Sequence, residues 1–357
     1  MNPAPDLDPA TLSPGSLTWQ APSNIALVKY WGKHGRQLPR NPNASLTLTV
    51  ARTETTLEWT ERTDDGGAVS LELFYDGEAK PAFAKRVTAF FASLLDVYPW
   101  LGQLHWTVRT RNTFPHGAGI ASSASAMAAL ATCLVAFERE RFGDSHPEEY
   151  WRRKASYLAR LGSGSASRSV FAKAAAWGHS DALDGSSDEY AVARGEQLHP
   201  VFHDYRDTIL LVSDAEKAVS SSAGHGLMEG QAYAKTRYAL ATQRFERLLG
   251  ILRGGELDDF CALVEQDALD LHALMMQSKP PYLLIEPGTV AIVKAVRSFR
   301  ESAKVPLCFT LDAGPNVHLL YPKSAKPKVD AFVEAELMRW APGGKIEDYV
   351  GEGAGEM

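Results

Sequence analysis

Residues 112–126 read NTFPHGAGIASSASA and lead directly into an alanine-rich apolar segment, residues 127–137. Gly117 and Gly119 allow backbone conformations that other residues avoid, and they let a ligand approach the main chain closely. The apolar segment predicts a helix, and three hydroxyls fall in its first turn, those of Ser122, Ser123 and Ser125. A helix N-terminus has unpaired N–H groups and partial positive charge, which favour phosphate. The stretch therefore indicates a phosphate-binding loop, with a plain serine N-cap before a buried helix as the alternative.

This loop matches neither of the two commonest nucleotide-binding motifs. A Walker loop needs Gly-Lys-Ser/Thr after its glycines, and that sequence does not follow here. A dinucleotide fingerprint needs G-x-G-x-x-G, which the stretch also lacks. A different kind of phosphate loop is therefore expected.

The composition of the 357 residues restricts the class of protein. With 45% hydrophobic and 22% charged residues the chain is typical of soluble globular proteins, and its length suggests two domains. A net charge of −6 gives nucleic-acid binding no electrostatic support, and no apolar run approaches the roughly 20 residues of a membrane span. Three widely spaced cysteines, Cys133, Cys261 and Cys308, predict reduced core residues in a cytoplasmic protein.

Hydrophobic periodicity divides the rest of the chain into strands and helices. Residues 1–16 are rich in Pro and Asp, lack the regions of a signal peptide, and predict a disordered lead-in. Strands are predicted at 17–21, 24–30 (strand or turn), 44–50 paired with 53–61, 69–75, 105–111, 209–213, 307–311 and 317–321. Helices are predicted at 81–96, 148–161 and 289–303, with a helical hairpin at 229–252 and 257–277 turned by two glycines. The mixed order favours an α+β fold, with an N-terminal domain at 17–200, a C-terminal domain at 201–340 and a tail at 341–357.

Three further segments contain candidate binding or catalytic residues. Residues 22–33, PSNIALVKYWGK, place two lysines around Tyr30 at the end of an apolar strand, where they could bind an anion or be solvated. Residues 162–169, GSGSASRS, place Arg168 alone in a small-residue loop, which is either an anion site or a linker. Residues 311–316, LDAGPN, place Asp312 at the end of a strand, as a base, a metal ligand or a turn cap.

Together these segments resemble the GHMP kinase superfamily and, within it, the diphosphomevalonate decarboxylase family. Residues 24–33 resemble the family's N-terminal signature, and residues 115–124 resemble the superfamily loop P-x-x-x-G-[LI]-x-S-S-A. Residues 162–169 resemble G-S-G-S-A-C-R-S, with Ser167 in place of Cys, and residues 312–316 match D-A-G-P-N. Asp214-Ala215-Glu216-Lys217 resembles the family's S-A-E-K-K stretch. The segments occur in the family's order, which makes a chance match very improbable.

The resemblance implies a GHMP kinase fold, with two domains of mixed and antiparallel sheets packed on helices. It implies ATP and Mg²⁺ as cofactors and mevalonate 5-diphosphate as the small-molecule substrate. The 3-hydroxyl would be phosphorylated, and loss of phosphate and CO₂ would give isopentenyl diphosphate, a step of the mevalonate pathway in isoprenoid biosynthesis. It also implies a homodimer, whereas the cysteines, the net charge and the lack of a long apolar run predict a cytoplasmic protein that binds neither nucleic acid nor membranes.

The resemblance further assigns roles to individual residues. Asp312 matches the residue that deprotonates the 3-hydroxyl, Lys29 a lysine near the transferred phosphate, and Asn24 a polar contact at the reacting centre. Arg168 matches the residue that binds the substrate carboxylate and phosphates. The substrate diphosphate would contact Tyr30, Lys33 and Ser167. ATP would contact Asn112, Pro115, Gly117, Gly119, Ser122, Ser123 and Ser125, and Ser123 would also bind Mg²⁺.

Departures from the family pattern leave alternatives open. His116-Gly117 replaces the more usual Thr-Ala, and residues 40–45 differ from the commoner polar run. Phosphomevalonate decarboxylase and a mevalonate 3-kinase are therefore alternatives within the class. A sugar or homoserine kinase would share only the ATP loop, and a non-catalytic GHMP-fold binding protein would have no need of Asp312.

Overall fold

The computed structural model describes residue 7 and residues 12–63, 66–115, 122–213 and 219–357. The strands are β1 (Gly15–Val28), β2 (Lys33–His34), β3 (Leu38–Pro39), β4 (Asn43–Glu61), β5 (Ser70–Tyr75), β6 (Glu78–Ala79), β7 (Leu104–Asn112), β8 (Ala174–Trp177), β9 (Ala191–Ala193), β10 (Arg206–Leu210), β11 (Cys308–Leu311), β12 (Val317–Tyr321), β13 (Lys345–Tyr349) and β14 (Gly355–Glu356). The helices are α1 (Pro81–Ala92), α2 (Ser122–Phe142), α3 (Glu148–Gly162), α4 (Ser221–Gly226), α5 (Ala234–Gly254), α6 (Leu257–Met276), α7 (Pro287–Ala303) and α8 (Lys326–Phe332).

The N-terminal domain is built on a mixed sheet with the strand order β14-β1-β4-β7-β5-β6. β8 also pairs with β4 and with β9, and the β5–β7 pair is parallel. The alanine-rich helix α2 packs against β1, β4 and α3. Ala124, Ala128 and Ala131 are fully buried in it, because a helix enclosed by neighbours on several sides needs small residues where backbones approach. This packing fixes the start of α2, and with it the first serines.

The two longest strands correct the predicted sheet. Residues 44–50 and 53–61 were expected to pair with each other, but they form one strand, β4, that pairs with β1 along both halves. Likewise 17–21 and 24–30 belong to the single strand β1, which ends at Val28. The irregularity that looked like a turn is a shift of register between Pro22 and Asn24, because bulges bend a strand without ending it.

The C-terminal domain has an antiparallel sheet with the order β11-β12-β10-β13. The predicted pairing of 307–311 with 317–321 is confirmed as β11–β12. The helical hairpin is confirmed as α5 and α6, and Gly255 turns it with a φ of 83°, a conformation that favours glycine. The predicted α+β fold, with mixed and antiparallel sheets on helices, is therefore confirmed.

The segment predicted as a tail, 341–357, contributes strands to both sheets. β13 is an edge strand of the C-terminal sheet, and β14 pairs with Trp19 and Gln20 of β1. Asp348 of β13 also accepts hydrogen bonds from the main-chain N–H groups of Thr49, Val50 and Ala51, at 2.7–2.8 Å. These residues lie where the register shift leaves β4 without a partner in β1. The sequence did not indicate these two strands, because short, polar strands at sheet edges have no hydrophobic alternation.

The structure also bears on the predictions about the cysteines and about membrane-spanning segments. Cys133, Cys261 and Cys308 are all buried and free of disulfides. Across the described residues, none of the helices has the length and apolarity to span a bilayer. The predicted lead-in, residues 1–16, lies largely outside the described residues.

Candidate active site

The candidate segments meet at one pocket between the two domains. β1 and the residues after it approach from the N-terminal sheet, together with the start of α2 and the loop after α3. The turn after β11 and the helix α4 approach from the C-terminal half of the chain. Of the predicted site residues, those that line the pocket are Asn24, Lys29, Tyr30, Lys33, Ser123, Arg168 and Asp312. Residues far apart in sequence are thus brought together in one cavity.

An ion pair joins the two domains inside the pocket. Lys29 Nζ lies 2.8 Å from Asp312 Oδ1, and the side chains are 3% and 23% exposed. The main chain of Asp312 is held separately, since its carbonyl accepts from His272 Nε2 at 3.1 Å and from the Gly314 N–H at 2.7 Å. The carboxylate therefore faces a cation across the domain boundary, which favours the catalytic interpretation over the turn cap.

A buried charge cluster fixes the main chain of Lys29. Asp267 Oδ2 accepts from the Lys29 N–H at 2.7 Å, and both oxygens accept from Arg237 at 2.9 Å. Arg244 adds a bond of 3.2 Å to Oδ1. We call these groups the Asp267 cluster. Sequence reasoning missed it, because each charge lies on a helix where it looks like part of a solvated face until α5 and α6 are paired.

Arg168 is buried among neutral oxygen atoms. Its guanidinium donates to Asn24 Oδ1 at 3.1 Å, to Ser45 Oγ at 3.0 Å and to Asn43 Oδ1. None of these partners carries a negative charge, and burial lowers the arginine's pKa to about 10, which leaves it protonated at neutral pH. A buried cation without a carboxylate partner is stabilised by an anion. The geometry thus supports the anion-site interpretation over a flexible linker.

Asn24 and Ser167 are fixed by bonds within the protein. Asn24 Nδ2 donates to Ser169 Oγ at 2.8 Å, while its Oδ1 accepts from Arg168, so Asn24 orients the guanidinium from the pocket wall. Ser167 was predicted to contact substrate, but its hydroxyl is fully buried, donates to Gly164 O at 2.8 Å and does not line the pocket. The tight turn 164–168 points this hydroxyl back into its own helical turn.

Tyr30 and Lys33 lie together on another wall. The Tyr30 hydroxyl is buried and has no hydrogen-bond partner within the described residues, and burial raises its pKa. Lys33 Nζ donates to Gln37 Oε1 at 2.9 Å, and burial lowers the pKa of Lys33. Six lining residues lie outside the predicted site segments, because no motif marks them: Gln37, Arg86, Ser221, Ser222, His225 and Leu271.

The predicted ATP residues divide into two groups. Ser123 is exposed, lines the pocket and lies 3.3 Å from Ser163 Oγ, and Ser122 begins the helix beside it. Ser125 is fully buried against Thr53 at 2.6 Å, so it secures α2 to β4 and does not face the cavity. Asn112 likewise accepts from Thr53 Oγ1 at 2.8 Å, and neither Asn112 nor the exposed Pro115 lines this pocket. Gly117 and Gly119 lie outside the described residues, as does the stretch 214–217.

The fold and the site together define a protein of the GHMP kinase class. Residues 21–191 match the family model of the diphosphomevalonate decarboxylase-like N-terminal domain, and residues 208–348 that of the mevalonate 5-diphosphate decarboxylase C-terminal domain. The chain belongs to the diphosphomevalonate decarboxylase family.

Individual relatives and solved structures agree with this placement. The diphosphomevalonate decarboxylase of Ganoderma lucidum is 30% identical over 86% of this chain and 78% of its own length, and that of Candida albicans 29% over 88% and 86%. A solved complex of MDDEF with MVAPP, AMPPCP and magnesium superposes with a TM-score of 0.81 at 26% identity, covering 97% of this chain and 99% of that one. Mevalonate diphosphate decarboxylase from Staphylococcus aureus gives the same TM-score at 25% identity, with coverages of 97% and 98%.

Proposed function

We propose that the protein catalyses the ATP-dependent decarboxylation of mevalonate 5-diphosphate to isopentenyl diphosphate, with release of ADP, phosphate and CO₂. The observation that carries this is the Lys29–Asp312 ion pair in the same pocket as the buried Arg168. A base, a cation beside it and a separate anion-binding cation are what the reaction needs. Family membership and the ligands of the MDDEF complex support the same conclusion.

The chemistry accounts for each group. Hydroxide is a poor leaving group, so the 3-hydroxyl is first converted to a phosphate ester at the expense of ATP. The C3–O bond then breaks with both electrons on the departing phosphate, which leaves positive charge at C3. The electrons of the C–CO₂⁻ bond form the alkene, and CO₂ leaves. The protein must hold two polyanions side by side, which requires preorganised cations and N–H dipoles.

The pocket residues suit these tasks. Asp312 accepts the proton of the 3-hydroxyl, and Lys29, which pairs with that carboxylate at 2.8 Å, faces the transferred phosphate. Arg168 binds the substrate carboxylate, and Asn24 keeps its guanidinium oriented. The Tyr30 hydroxyl, which has no partner among the described residues, and Lys33 contact the substrate diphosphate.

The start of α2 suits the phosphates of ATP. Its first turn combines an exposed Ser123 hydroxyl in the pocket with the partial positive charge of a 21-residue helix. Groups of three or more His, Cys, Asp or Glu able to hold a metal do not occur among the residues that the structure describes. Mg²⁺ would therefore be held mainly by phosphate oxygens with the Ser123 hydroxyl, as this ion commonly is, and would neutralise phosphate charge.

The direct test is incubation with ATP and Mg²⁺ and each of mevalonate, its 5-phosphate and its 5-diphosphate, with the products identified by mass. We expect isopentenyl diphosphate from the 5-diphosphate. Turnover of the 5-phosphate in preference would indicate phosphomevalonate decarboxylase. A phosphorylated product that retains its carboxyl group would indicate a 3-kinase, and no turnover of any substrate would indicate a binding protein.

We expect Arg168→Lys to lower kcat/KM by roughly 10–100-fold, the value of a charge-assisted hydrogen bond. Lysine keeps the charge but lacks the planar fork that binds a carboxylate while also reaching Asn24, Asn43 and Ser45. Steady-state kinetics and thermal unfolding would be measured beside Arg153→Lys, an exposed arginine paired with Glu149. Unchanged kinetics would show that Arg168 has no contact with the reacting molecule.

We expect the wild-type protein to prefer the 5-diphosphate over the 5-phosphate by about 10–100-fold, since a charge-assisted bond contributes roughly 1.5–3 kcal/mol. Lys33→Ala should narrow this preference, mainly by raising KM for the diphosphate. The measurement is kcat/KM for both substrates, with Lys80→Ala as the surface control. Equal losses on both substrates would contradict the assignment of Lys33 to the diphosphate.

Assembly rests on the family resemblance, and location rests on the composition of the chain. On that basis the protein acts as a homodimer in the cytoplasm. Sedimentation equilibrium of the purified chain tests the dimer, since a monomer at micromolar concentration would exclude it.

A further inference from the structure

His225 of α4 is enclosed by aromatic rings at the edge of the pocket. Its ring centroid lies 4.4 Å from that of Tyr30 and 4.5 Å from that of Trp31, and both pairs are tilted. The main-chain N–H of Gly32 donates to its Nδ1 at 3.0 Å. The histidine comes from the C-terminal half of the chain, yet all of these contacts are to the N-terminal signature. Its ring is therefore held on three sides by one short segment.

The bond from Gly32 fixes the tautomer of the ring. A main-chain N–H can only donate, so Nδ1 is the acceptor and the proton of the neutral ring lies on Nε2. Burial, and secondly the charge of Lys33, lower the pKa of His225 to about 3, so the ring is neutral at neutral pH. Within the described residues Nε2 makes no hydrogen bond, while the ring lines the pocket.

The backbone around His225 is fitted closely to this placement. A Cβ at Gly224 would lie 2.5 Å from the Trp31 ring, so only glycine lets α4 approach so far. Gly32 has a φ of 89°, and a Cβ there would lie 2.2 Å from the Tyr238 hydroxyl. A larger residue at either position would move the ring or the N–H that orients it.

The pocket residues around the His225 ring favour binding of an anion. Lys33 and Arg86 contribute cations to the pocket, and Ser221 and Ser222 contribute hydroxyls. Among the described lining residues Asp312 is the one carboxylate, and it is already paired with Lys29. A neutral N–H donor beside Lys33 therefore faces a region that suits phosphoryl oxygens.

We infer that His225 is a specificity residue whose Nε2–H donates a hydrogen bond to a phosphoryl oxygen of the substrate's diphosphate. This inference rests on the proposed function. The charge of Lys33 attracts any anion, whereas a hydrogen bond from a single N–H held in a fixed direction stabilises an oxygen atom at one position only. The ring therefore helps to distinguish a diphosphate from a shorter phosphate.

Two substitutions separate this role from simple packing. The amide nitrogen of glutamine reaches about as far as Nε2, whereas that of asparagine reaches only about as far as Nδ1. We expect His225→Asn to raise KM for mevalonate 5-diphosphate about 10–100-fold with little change in kcat, and His225→Gln to restore most of the affinity. His179→Asn, at an exposed histidine, is the matched control. Equal KM values for the asparagine variant and the wild-type protein, or equal damage in both His225 variants, would overturn the inference.

A measurement on the wild-type protein covers the case in which a variant does not fold. The ¹⁵N spectrum of histidine-labelled protein reports the tautomer of each ring, and inorganic pyrophosphate serves as the probe. We expect a neutral ring protonated at Nε2 whose signal shifts on saturation with pyrophosphate. A ring protonated at Nδ1, or an Nε2 signal that does not move, would overturn the inference. Failure of the wild-type protein to decarboxylate mevalonate 5-diphosphate would instead refute the proposed function, and the pyrophosphate experiment would still report on His225.

Discussion

Asp312→Asn is expected to lower kcat by at least about 100-fold while ATP still binds, because a positioned general base contributes roughly 10²–10⁴-fold. Asparagine has nearly the same shape as aspartate but cannot accept the hydroxyl proton. It also removes the negative charge that Lys29 faces at 2.8 Å. The main chain of residue 312 is held by its own bonds to His272 and Gly314, so the turn should keep its shape.

The measurement combines steady-state kinetics with calorimetric titration of ATP. Asp330→Asn is a suitable control, since this aspartate pairs with Lys326 across one helical turn and does not line the pocket. We expect the control to retain wild-type kinetics and both variants to bind ATP. A near-normal kcat in Asp312→Asn would show that the carboxylate only stabilises the domain boundary.

Asp267→Asn is expected to lower the free energy of unfolding by about 3–5 kcal/mol, the usual cost of removing one partner from a buried ion pair. Asp267 is 0% exposed, and Arg237 and Arg244 are 3% and 14% exposed, so water cannot replace the lost charge. The amide nitrogen of asparagine would also point at a donor, either a guanidinium or the Lys29 N–H. Activity should fall as well, because the Asp267 cluster fixes the main chain of Lys29.

Urea unfolding followed by tryptophan fluorescence measures this change. Asp259→Asn provides the comparison, since Asp259 is 61% exposed and its pair with Arg247 is 4.0 Å long. Exposed pairs of this kind contribute at most about 1 kcal/mol. Equal free energies of unfolding for the two variants would show that the Asp267 cluster does not stabilise the folded protein.

Local sequence was sufficient to predict those site residues that lie in short contiguous motifs. Lys29, Arg168 and Asp312 each lie in a short run of residues with a distinctive backbone, and the structure brings all three to one pocket. The helix after the glycine loop was also predictable, because its apolar residues are continuous. Ser125 shows the limit of such reasoning, since it follows the pocket residue Ser123 by only two positions but lies on the opposite face of the helix, against Thr53.

What could not be predicted depends on contacts between distant elements. The Asp267 cluster exists only when α5, α6 and the end of β1 are brought together, and no spacing within one helix indicates it. No pattern in the sequence marks His225 as a pocket residue, because its orientation is set by Gly32, which is far away in the chain. The continuity of β4 was missed because Asp348, from the last strand of the C-terminal sheet, satisfies the amides of residues 49–51.

The position of β13 and β14 has a consequence for biosynthesis. As the ribosome releases the N-terminal domain, β1 still lacks its outer neighbour, and the amides of residues 49–51 lack the carboxylate of Asp348. An open strand edge is a template for pairing with other chains. The nascent protein is therefore most exposed to aggregation before residues 345–356 emerge, and its first domain becomes complete only after β14 has been translated.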